Sequence, residues 1–205
     1  MSVAERWDDQ YRRGRYADEA PVPFVRDIVA AAPGARGLYI GCGNGRNFVP
    51  LVEAGLDLVG LDVSAAALAQ LAQRLPGAQL VHGDLSAVAG DFDVVIGIQV
   101  FQHGSAAETH AHIRAALARV TPGGLFCIRV NAAGTQVEHP HTWVEPGTLR
   151  YDGGPKRGLL VHFFTREELE QLTAGLEPVL PLRVARMLRD DGTHWDQWEA
   201  IWRCG

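Results

Sequence analysis

Apolar runs alternate with helical patterns through the first two thirds of the chain, and this alternation most constrains its fold. Residues 93–98 form a nearly continuous apolar run, which is typical of strands buried on both faces of a parallel sheet. Strands that alternate with helices pack as a parallel sheet with helices on both faces. The sequence therefore predicts an α/β fold, and a length of 205 residues fits a single domain over residues 1–205.

Capping residues mark where several helices begin. Ser105 is followed three residues later by Glu108, and Thr165 by Glu168, which is the spacing of a capping box. Ser64 is a further candidate N-cap, because its hydroxyl can accept a hydrogen bond from the first helical turn. We therefore expect a helix after each of these three positions.

The predicted strands lie at residues 37–40, 57–61, 79–82, 93–98, 125–130, 178–188 and 195–203. The last two are separated by Asp190-Asp191-Gly192, a turn sequence that favours an antiparallel hairpin. Residues 131–162 are rich in Gly, Pro and His and show no clean period. We predict that they form an insertion or lid over a substrate.

A glycine-rich loop follows the first predicted strand and reads Gly41-Cys42-Gly43-Asn44-Gly45. A strand, a glycine turn and a helix place backbone N–H groups and a positive helix end at the edge of a sheet, as nucleotide sites require. Asp62 ends the next strand, where a carboxylate can accept hydrogen bonds from both hydroxyls of a ribose. A nicotinamide site is the weaker alternative, because Arg46 occupies the position where that site needs a small residue.

Several motifs occur in the order found in one enzyme family. "GCGNGRN", "LDVS", "HGDL", "FDVVIGIQVFQHG", "RVTPGGLFCI" and "HFFTREELEQL" together resemble the class I S-adenosylmethionine-dependent methyltransferases. The N-terminal "WDDQYRRG" is similar to the opening helix of the thiopurine and tellurite-resistance branches. The resemblance implies a Rossmann-like, mostly parallel seven-stranded sheet in the order 3-2-1-4-5-7-6, sandwiched by helices, with a terminal antiparallel hairpin.

The resemblance also implies a cofactor and its site. S-adenosylmethionine is the expected cofactor, and residues 1–20 are expected to cover it. The residues expected to bind it are Trp7, Tyr11, Gly41, Cys42, Gly43, Asn47, Asp62, Val63, Asp84, Leu85 and Gln99. Tyr39 departs from the family, in which this position is commonly Asp or Glu.

Histidines are the candidates for a general base, because imidazole accepts protons near neutral pH. His103 follows the fourth strand at the edge where the methyl group would lie, and His141 lies in the predicted insertion. A metal set of His139, His141 and His162 is the alternative use of these residues. It lacks the cysteine or carboxylate ligands of well-recognised sites, so we expect no metal.

These features predict a methyltransferase that acts on oxygen or nitrogen of a small molecule. A thiol or chalcogen acceptor, and a protein that binds the cofactor without turnover, are the alternatives. The net charge of −5 argues against nucleic acid as a partner. The charged N-terminus, three scattered cysteines and lack of long apolar stretches predict a cytoplasmic location without membrane contact.

Overall fold

The computed structural model describes residues 2–16, 19–189 and 191–205. The helices in these ranges are α1 (Val3–Arg12), α2 (Phe24–Ala31), α3 (Phe48–Glu53), α4 (Ala65–Arg74), α5 (Ala106–Leu117) and α6 (Arg166–Leu172), with a short 3₁₀ helix at Leu85–Ala87. The strands are β1 (Arg36–Ile40), β2 (Asp57–Asp62), β3 (Gln79–His82), β4 (Phe92–Ile98), β5 (Val120–Asn131), β6 (His141–Glu145), β7 (Thr148–Tyr151), β8 (Leu160–His162), β9 (Glu177–Leu188) and β10 (His194–Arg203). Within the described ranges, no helix has both the length and the apolar character that crossing a bilayer requires.

Seven strands form one sheet in the order β3-β2-β1-β4-β5-β10-β9. Strands β1 to β5 are parallel, and β10 runs antiparallel to both β5 and β9. Because β9 and β10 are the predicted sixth and seventh strands, the predicted order is confirmed. Asp190, in the predicted turn between them, lies outside the described residues.

Helix starts follow the predicted capping residues. Ser105 and Thr165 each form a complete capping box, and the Ser64 hydroxyl accepts a hydrogen bond from Ala67 N–H. Each cap satisfies N–H groups that would otherwise lack partners in the first turn. The three predicted helix starts are therefore confirmed, and α4, α5 and α6 begin where the connections from the sheet end.

Two apolar layers cover the sheet. Tyr39, Val94 and Ile96 face a core shared with α2, α3 and α4. Leu38 and Val95, their neighbours along the same strands, face the opposite core, which α5 and α6 cover. Successive side chains of a strand point to opposite faces, so strands buried on both faces must be apolar at nearly every position.

Residues 131–162 contain a second sheet, of strand order β6-β7-β8, which the sequence analysis did not predict. These strands have three to five residues, and β6 leaves most of its side chains exposed, so no apolar alternation marks them. A separate small core of Leu149, Tyr151, Val161 and Phe163 holds this insertion together. Its function as a lid stays a prediction.

A buried ion pair connects β5 with β10. Arg129 Nε donates to Glu199 Oε1 at 2.8 Å, and both side chains are 3% exposed. Arg183 donates to the other oxygen of Glu199 and also binds Asp27 of α2. Both oxygens of Glu199 therefore have charged partners, as a buried carboxylate requires.

We expect Glu199→Ala to lower the free energy of unfolding by about 3 to 5 kcal/mol, because Arg129 would remain buried without its counter-charge. Urea unfolding monitored by circular dichroism measures this loss. Glu177→Ala is the matched control, since its carboxylate is exposed and 3.9 Å from Arg203, and it should cost less than about 0.5 kcal/mol. Equal losses in the two variants would contradict a special role for the buried pair.

Candidate functional site

The glycine loop turns sharply between β1 and α3. Gly41 and Gly43 have φ of 70° and 55°, a region in which side chains with a Cβ are strained. A Cβ at Gly41 would lie 2.6 Å from Val100 Cγ2, and a Cβ at Gly43 would overlap the Tyr11 hydroxyl. The loop therefore needs glycine both for its conformation and for close packing.

Asp62 connects this loop to the end of β2. Its Oδ2 accepts the Gly43 N–H and its Oδ1 accepts the Ser64 N–H, both at 2.8 Å. Burial raises the pKa of this carboxyl, and the two backbone hydrogen bonds oppose the shift. An ionised carboxylate can accept about four hydrogen bonds, so Asp62 keeps acceptor capacity for a ligand.

A first cavity of about 220 Å³ opens beside Asp62. Its apolar walls include Leu61, Val63, Leu85 and Phe101, and its acidic groups are Asp62 and Asp84. Oδ1 of Asp84 accepts hydrogen bonds from Ser86. An apolar slot with two carboxylates at its edge suits a flat heterocycle joined to a sugar.

A second cavity, of about 480 Å³, lies on the other side of the glycine loop. Tyr39, Cys42, Gly43 and Asn47 line it at the loop, together with several charged side chains farther out. Burial raises the pKa of the Cys42 thiol, so this sulfur stays protonated and unsuited to nucleophilic attack.

The two cavities share the five lining residues Trp7, Tyr11, Gly41, Gln99 and His103. Trp7 and Tyr11 lie one turn apart on α1, so this helix crosses the junction with one face. Gln99, directly after β4, has a φ of 58°, a conformation that non-glycine residues adopt at a cost. Its N–H donates to the Arg129 carbonyl at 2.7 Å, which holds this turn in place.

Helix α1 is bound to the start of α4. Asp8 Oδ1 accepts from the Ser64 hydroxyl at 2.6 Å and from Ala66 N–H at 3.1 Å. The hydrogen bond from Ser64 lowers the pKa of Asp8, so its carboxylate stays ionised at neutral pH. Gln70 Nε2 donates to the Tyr11 carbonyl at 2.9 Å. These contacts place residues of the predicted covering segment at both cavities.

His103 lies at the junction of the cavities. Its ring packs edge-on against Trp7, with centroids 5.0 Å apart. Burial lowers its pKa to about 3, the charge of Lys156 adds to this shift, and a hydrogen bond to the Gln99 carbonyl opposes it. Its Nδ1 is buried and has no hydrogen-bond partner among the described residues. His103 is therefore a neutral imidazole at the junction, with its Nδ1 enclosed by the protein.

The other predicted histidines lie elsewhere. His141 lines neither cavity, and its Nδ1 is 2.8 Å from the His139 carbonyl oxygen. His162 is buried, with Thr148 Oγ1 2.8 Å from Nδ1 and Glu168 Oε1 3.1 Å from Nε2. Within the described ranges, the single cluster with metal-ligand spacing is His110, His162 and Glu168, and His139 and His141 are not part of it.

All eleven residues expected to bind the cofactor line one or both cavities. Their individual contacts with it stay predictions. The sequence analysis did not find Gln102, Arg129, Lys156 and Trp195, which also line the second cavity. These residues come from four separate parts of the chain, and among them only Lys156 carried a signal, as the single lysine.

Comparison with known proteins identifies the family. The model of a methyltransferase domain matches residues 38–126. The chain is 30% identical to a ubiquinone biosynthesis O-methyltransferase of Cereibacter sphaeroides over 181 residues, which cover 79% of this chain and 69% of that protein. The chain belongs to the class I S-adenosylmethionine-dependent methyltransferases. It is also 30% identical, over 64% of its length, to a trans-aconitate 2-methyltransferase of Deinococcus radiodurans, and it spans about half (51%) of that relative.

Solved methyltransferase structures share this fold. TehB from Haemophilus influenzae superposes with a TM-score of 0.72 at 17% identity, covering 97% of this chain and 67% of TehB. The 1,6-didemethyltoxoflavin-N1-methyltransferase of Burkholderia thailandensis, whose structure contains S-adenosylhomocysteine, gives 0.71 at 22% identity, with coverages of 100% and 92%. At these identities the likeness concerns the fold alone.

S-adenosylmethionine is the cofactor of this methyltransferase family, and the site fits it. The first cavity has the apolar walls and the two carboxylates that an adenosine needs. The glycine loop stands between that cavity and the polar one, where a charged amino-acid end would be solvated. We expect the sulfur and its methyl group at the junction between them.

We expect Asp62→Ala to weaken binding of S-adenosylhomocysteine by about 1 to 3 kcal/mol, because a buried ribose would lose its hydrogen-bond acceptor. Calorimetry measures the affinity, and thermal unfolding shows whether the variant folds. Asp57→Ala is the control, since Asp57 begins the same strand and is exposed. Unchanged affinity in Asp62→Ala would refute the ribose role.

Tyr39 is 2% exposed, and its ring packs edge-on against Phe48 at 6.0 Å. Burial raises its pKa, while a hydrogen bond with Asn47 opposes the shift, so the phenol is neutral. We expect Tyr39→Phe to keep the fold and to weaken S-adenosylhomocysteine binding about three- to tenfold, the effect of one neutral hydrogen bond. Calorimetry decides: unchanged affinity would show that the hydroxyl has no part in binding the ligand.

Proposed function

We propose that this protein transfers the methyl group of S-adenosylmethionine to a hydroxyl oxygen of a small molecule held in the second cavity. The observation that carries the proposal is the neutral imidazole of His103 at the junction of the two cavities. Its position fits a hydrogen-bond acceptor for the attacking hydroxyl. The match to an O-methyltransferase of Cereibacter sphaeroides supports the same acceptor atom.

Methyl transfer requires the protein to align the hydroxyl with the methyl group and to supply one proton acceptor. The bound cofactor supplies an electrophilic methyl group on a sulfonium. As an oxygen gains this methyl group, its proton becomes strongly acidic, so a weak base is sufficient to accept it. The imidazole of His103 would hold the hydroxyl in line before transfer and accept its proton during it.

The remaining predicted residues would position the cofactor. Asp62 would accept hydrogen bonds from the ribose hydroxyls, and Asp84 would accept one from the adenine amino group. Val63 and Leu85 would pack against the adenine. Cys42, Gly43, Asn47 and Gln99 would surround the amino-acid end. Trp7 and Tyr11 would cover the junction and exclude water from it. These roles follow from the resemblance to the family, and all of these residues line the cavities.

Nitrogen, a thiol or a chalcogen as the accepting atom, and binding without turnover, are the competing functions. Calorimetry with S-adenosylhomocysteine tests cofactor binding first. A methyl-transfer screen over phenols, amines and thiols then identifies the accepting atom. Transfer to phenols supports our proposal. Transfer to amines or thiols alone would refute it, and binding without any transfer would favour a sensor or a partner subunit.

We expect His103→Gln to lower kcat for a hydroxyl acceptor about 100-fold or more, the usual contribution of a general base. Affinity for S-adenosylhomocysteine should change less than about twofold, because the carbonyl of Gln99 and the glycine loop remain. His141→Gln is the matched comparison, as the second predicted base. A loss of kcat in His141→Gln with none in His103→Gln would reverse the assignment.

The pH profile tests the same role. An ordinary histidine base becomes protonated below about pH 6.5 and loses activity there. Because burial holds the pKa of His103 near 3, its Nδ1 stays unprotonated well below that pH. We therefore expect kcat to show no decrease attributable to His103 between about pH 7.5 and 5.5. A decrease centred near pH 6.5 that His103→Gln abolishes would contradict this.

A further inference from the structure

The cationic side chains that line the second cavity outnumber those that have a carboxylate partner among the described residues. Five cationic side chains line it, and three have a carboxylate partner: Arg46 with Glu19, Arg129 with Glu199, and Arg189 with Glu138. Among residues 2–16, 19–189 and 191–205, no carboxylate oxygen lies within 4 Å of the cationic groups of Arg15 or Lys156. Within the described residues these two cations have no carboxylate partner, and Arg15 Nη1 donates to the amide oxygen of Gln10 at 2.9 Å.

These two cations come from different segments of the chain, and the charge of Arg15 acts on Lys156. Arg15 follows α1, and its guanidinium lies 4.9 Å from the ring centroid of Tyr16. Tyr16 in turn is 5.9 Å from the ring of Tyr11, which contacts the glycine loop. Arg15 is therefore on the cofactor's side. Lys156 lies in the insertion, between β7 and β8, with its Nζ 5.5 Å from the ring centroid of Trp195 and 5.8 Å from that of Tyr151.

Lys156 has no strong partner of its own. The two aromatic rings stabilise an ammonium only weakly, and Nζ has no hydrogen-bond acceptor among the described residues. Desolvation lowers the pKa of Lys156 to about 8, and the charge of Arg15 adds to the shift. An ammonium that is partly removed from water and left without an anion costs free energy, which a bound anion would offset.

The position of Lys156 relates it to the reacting centre. Its charge acts on His103 across the same cavity. The backbone next to it is bound to α1, because Arg6 Nη1 donates to the Arg157 carbonyl at 2.6 Å. A molecule with one end at Lys156 and another at His103 would lie under the insertion and beside the junction.

We propose that the methyl acceptor is an organic oxyanion, whose carboxylate or phosphate binds the ammonium of Lys156 while its reacting atom faces His103. This inference rests on the proposed function and names the class of its substrate. Tyr151 and Trp195 would contact the apolar part of the acceptor next to its charged group. Lys156 has the role of a substrate-binding residue and takes no part in the methyl transfer.

The test measures binding of matched probes by calorimetry to protein saturated with S-adenosylhomocysteine, so that the cofactor's own carboxylate is already in place. The probes are benzoate, phenyl phosphate and the neutral benzamide. The variants are Lys156→Gln and Arg157→Gln. Arg157 is adjacent in sequence, is exposed and lines neither cavity, so its substitution removes one positive charge outside the site.

We expect benzoate or phenyl phosphate to bind at least about tenfold more tightly than benzamide, the preference that one hydrogen-bonded charge pair gives. Lys156→Gln should abolish this preference and keep the affinity for S-adenosylhomocysteine, and Arg157→Gln should keep both. Comparing the two anions distinguishes a carboxylate from a phosphate acceptor.

Four results would overturn the proposal. The first is equal affinity for benzamide and for the anionic probes, and the second is a preference for the anions that persists in Lys156→Gln. The third is that no probe binds to protein that holds S-adenosylhomocysteine. The fourth is that Lys156→Gln loses the binding of S-adenosylhomocysteine. The last would assign Lys156 to the cofactor. Binding of S-adenosylhomocysteine by the wild-type protein is measured before any probe is added. If the protein does not bind it, the proposed function is refuted instead.

Discussion

The site depends on the reversal of strand order between β1 and β4. These strands are parallel neighbours, with Ile40 paired to Gly97 near their carboxyl ends. The chain leaves β1 towards α3 on one face of the sheet and β4 towards α5 on the other. Such a switch point opens a crevice that no connection fills. Both cavities lie there, and Gly41 and Gln99, the first residues after these strands, line both.

Two segments outside the main sheet line this crevice, and each is hydrogen-bonded to the rest of the domain. Helix α1 is held through Asp8 to the start of α4. The insertion is held to the loop after β4, because His162 N–H donates to the Gln102 carbonyl at 2.8 Å and Gly104 N–H to the Leu160 carbonyl at 3.1 Å. His103 lies between those two contacts and packs against Trp7 of α1. Its position therefore depends on the sheet edge, the helix and the insertion together.

The features that the sequence predicted correctly depend on residues close together along the chain. The caps at Ser64, Ser105 and Thr165 and the glycine loop need residues only a few positions apart, so their patterns are visible in one short stretch. The insertion shows the limit, since its strands have only three to five residues and β6 is largely exposed, so no apolar alternation marks them. Residues 131–162 contain a sheet because Leu149 and Tyr151 of β7 pack in one core with Val161 of β8. That pairing between strands separated along the chain has no local signature.

The same limit applies to the site. The residues of the glycine loop and Asp62 follow from motifs, and they line the two cavities; their contacts with a cofactor stay predictions. The two cations that lack a carboxylate partner among the described residues could not be predicted, because whether an arginine or lysine has a counter-charge depends on which acids the fold brings to it. Arg129 and Glu199 are seventy residues apart along the chain, yet their ion pair removes one cation from the second cavity's surplus.

The neutral side chain of Tyr39 affects the balance of charge in the second cavity. Its phenol is buried and neutral, and it lies where Arg46 and Arg129 both act on its pKa. A carboxylate at this position would add a negative charge beside those cations and would compete with Glu19 and Glu199 for them. Attraction between opposite charges is stronger in a partly desolvated cavity than in water. A neutral Tyr39 therefore leaves the cavity with a surplus of positive charge, which is the condition that an anionic acceptor at Lys156 needs.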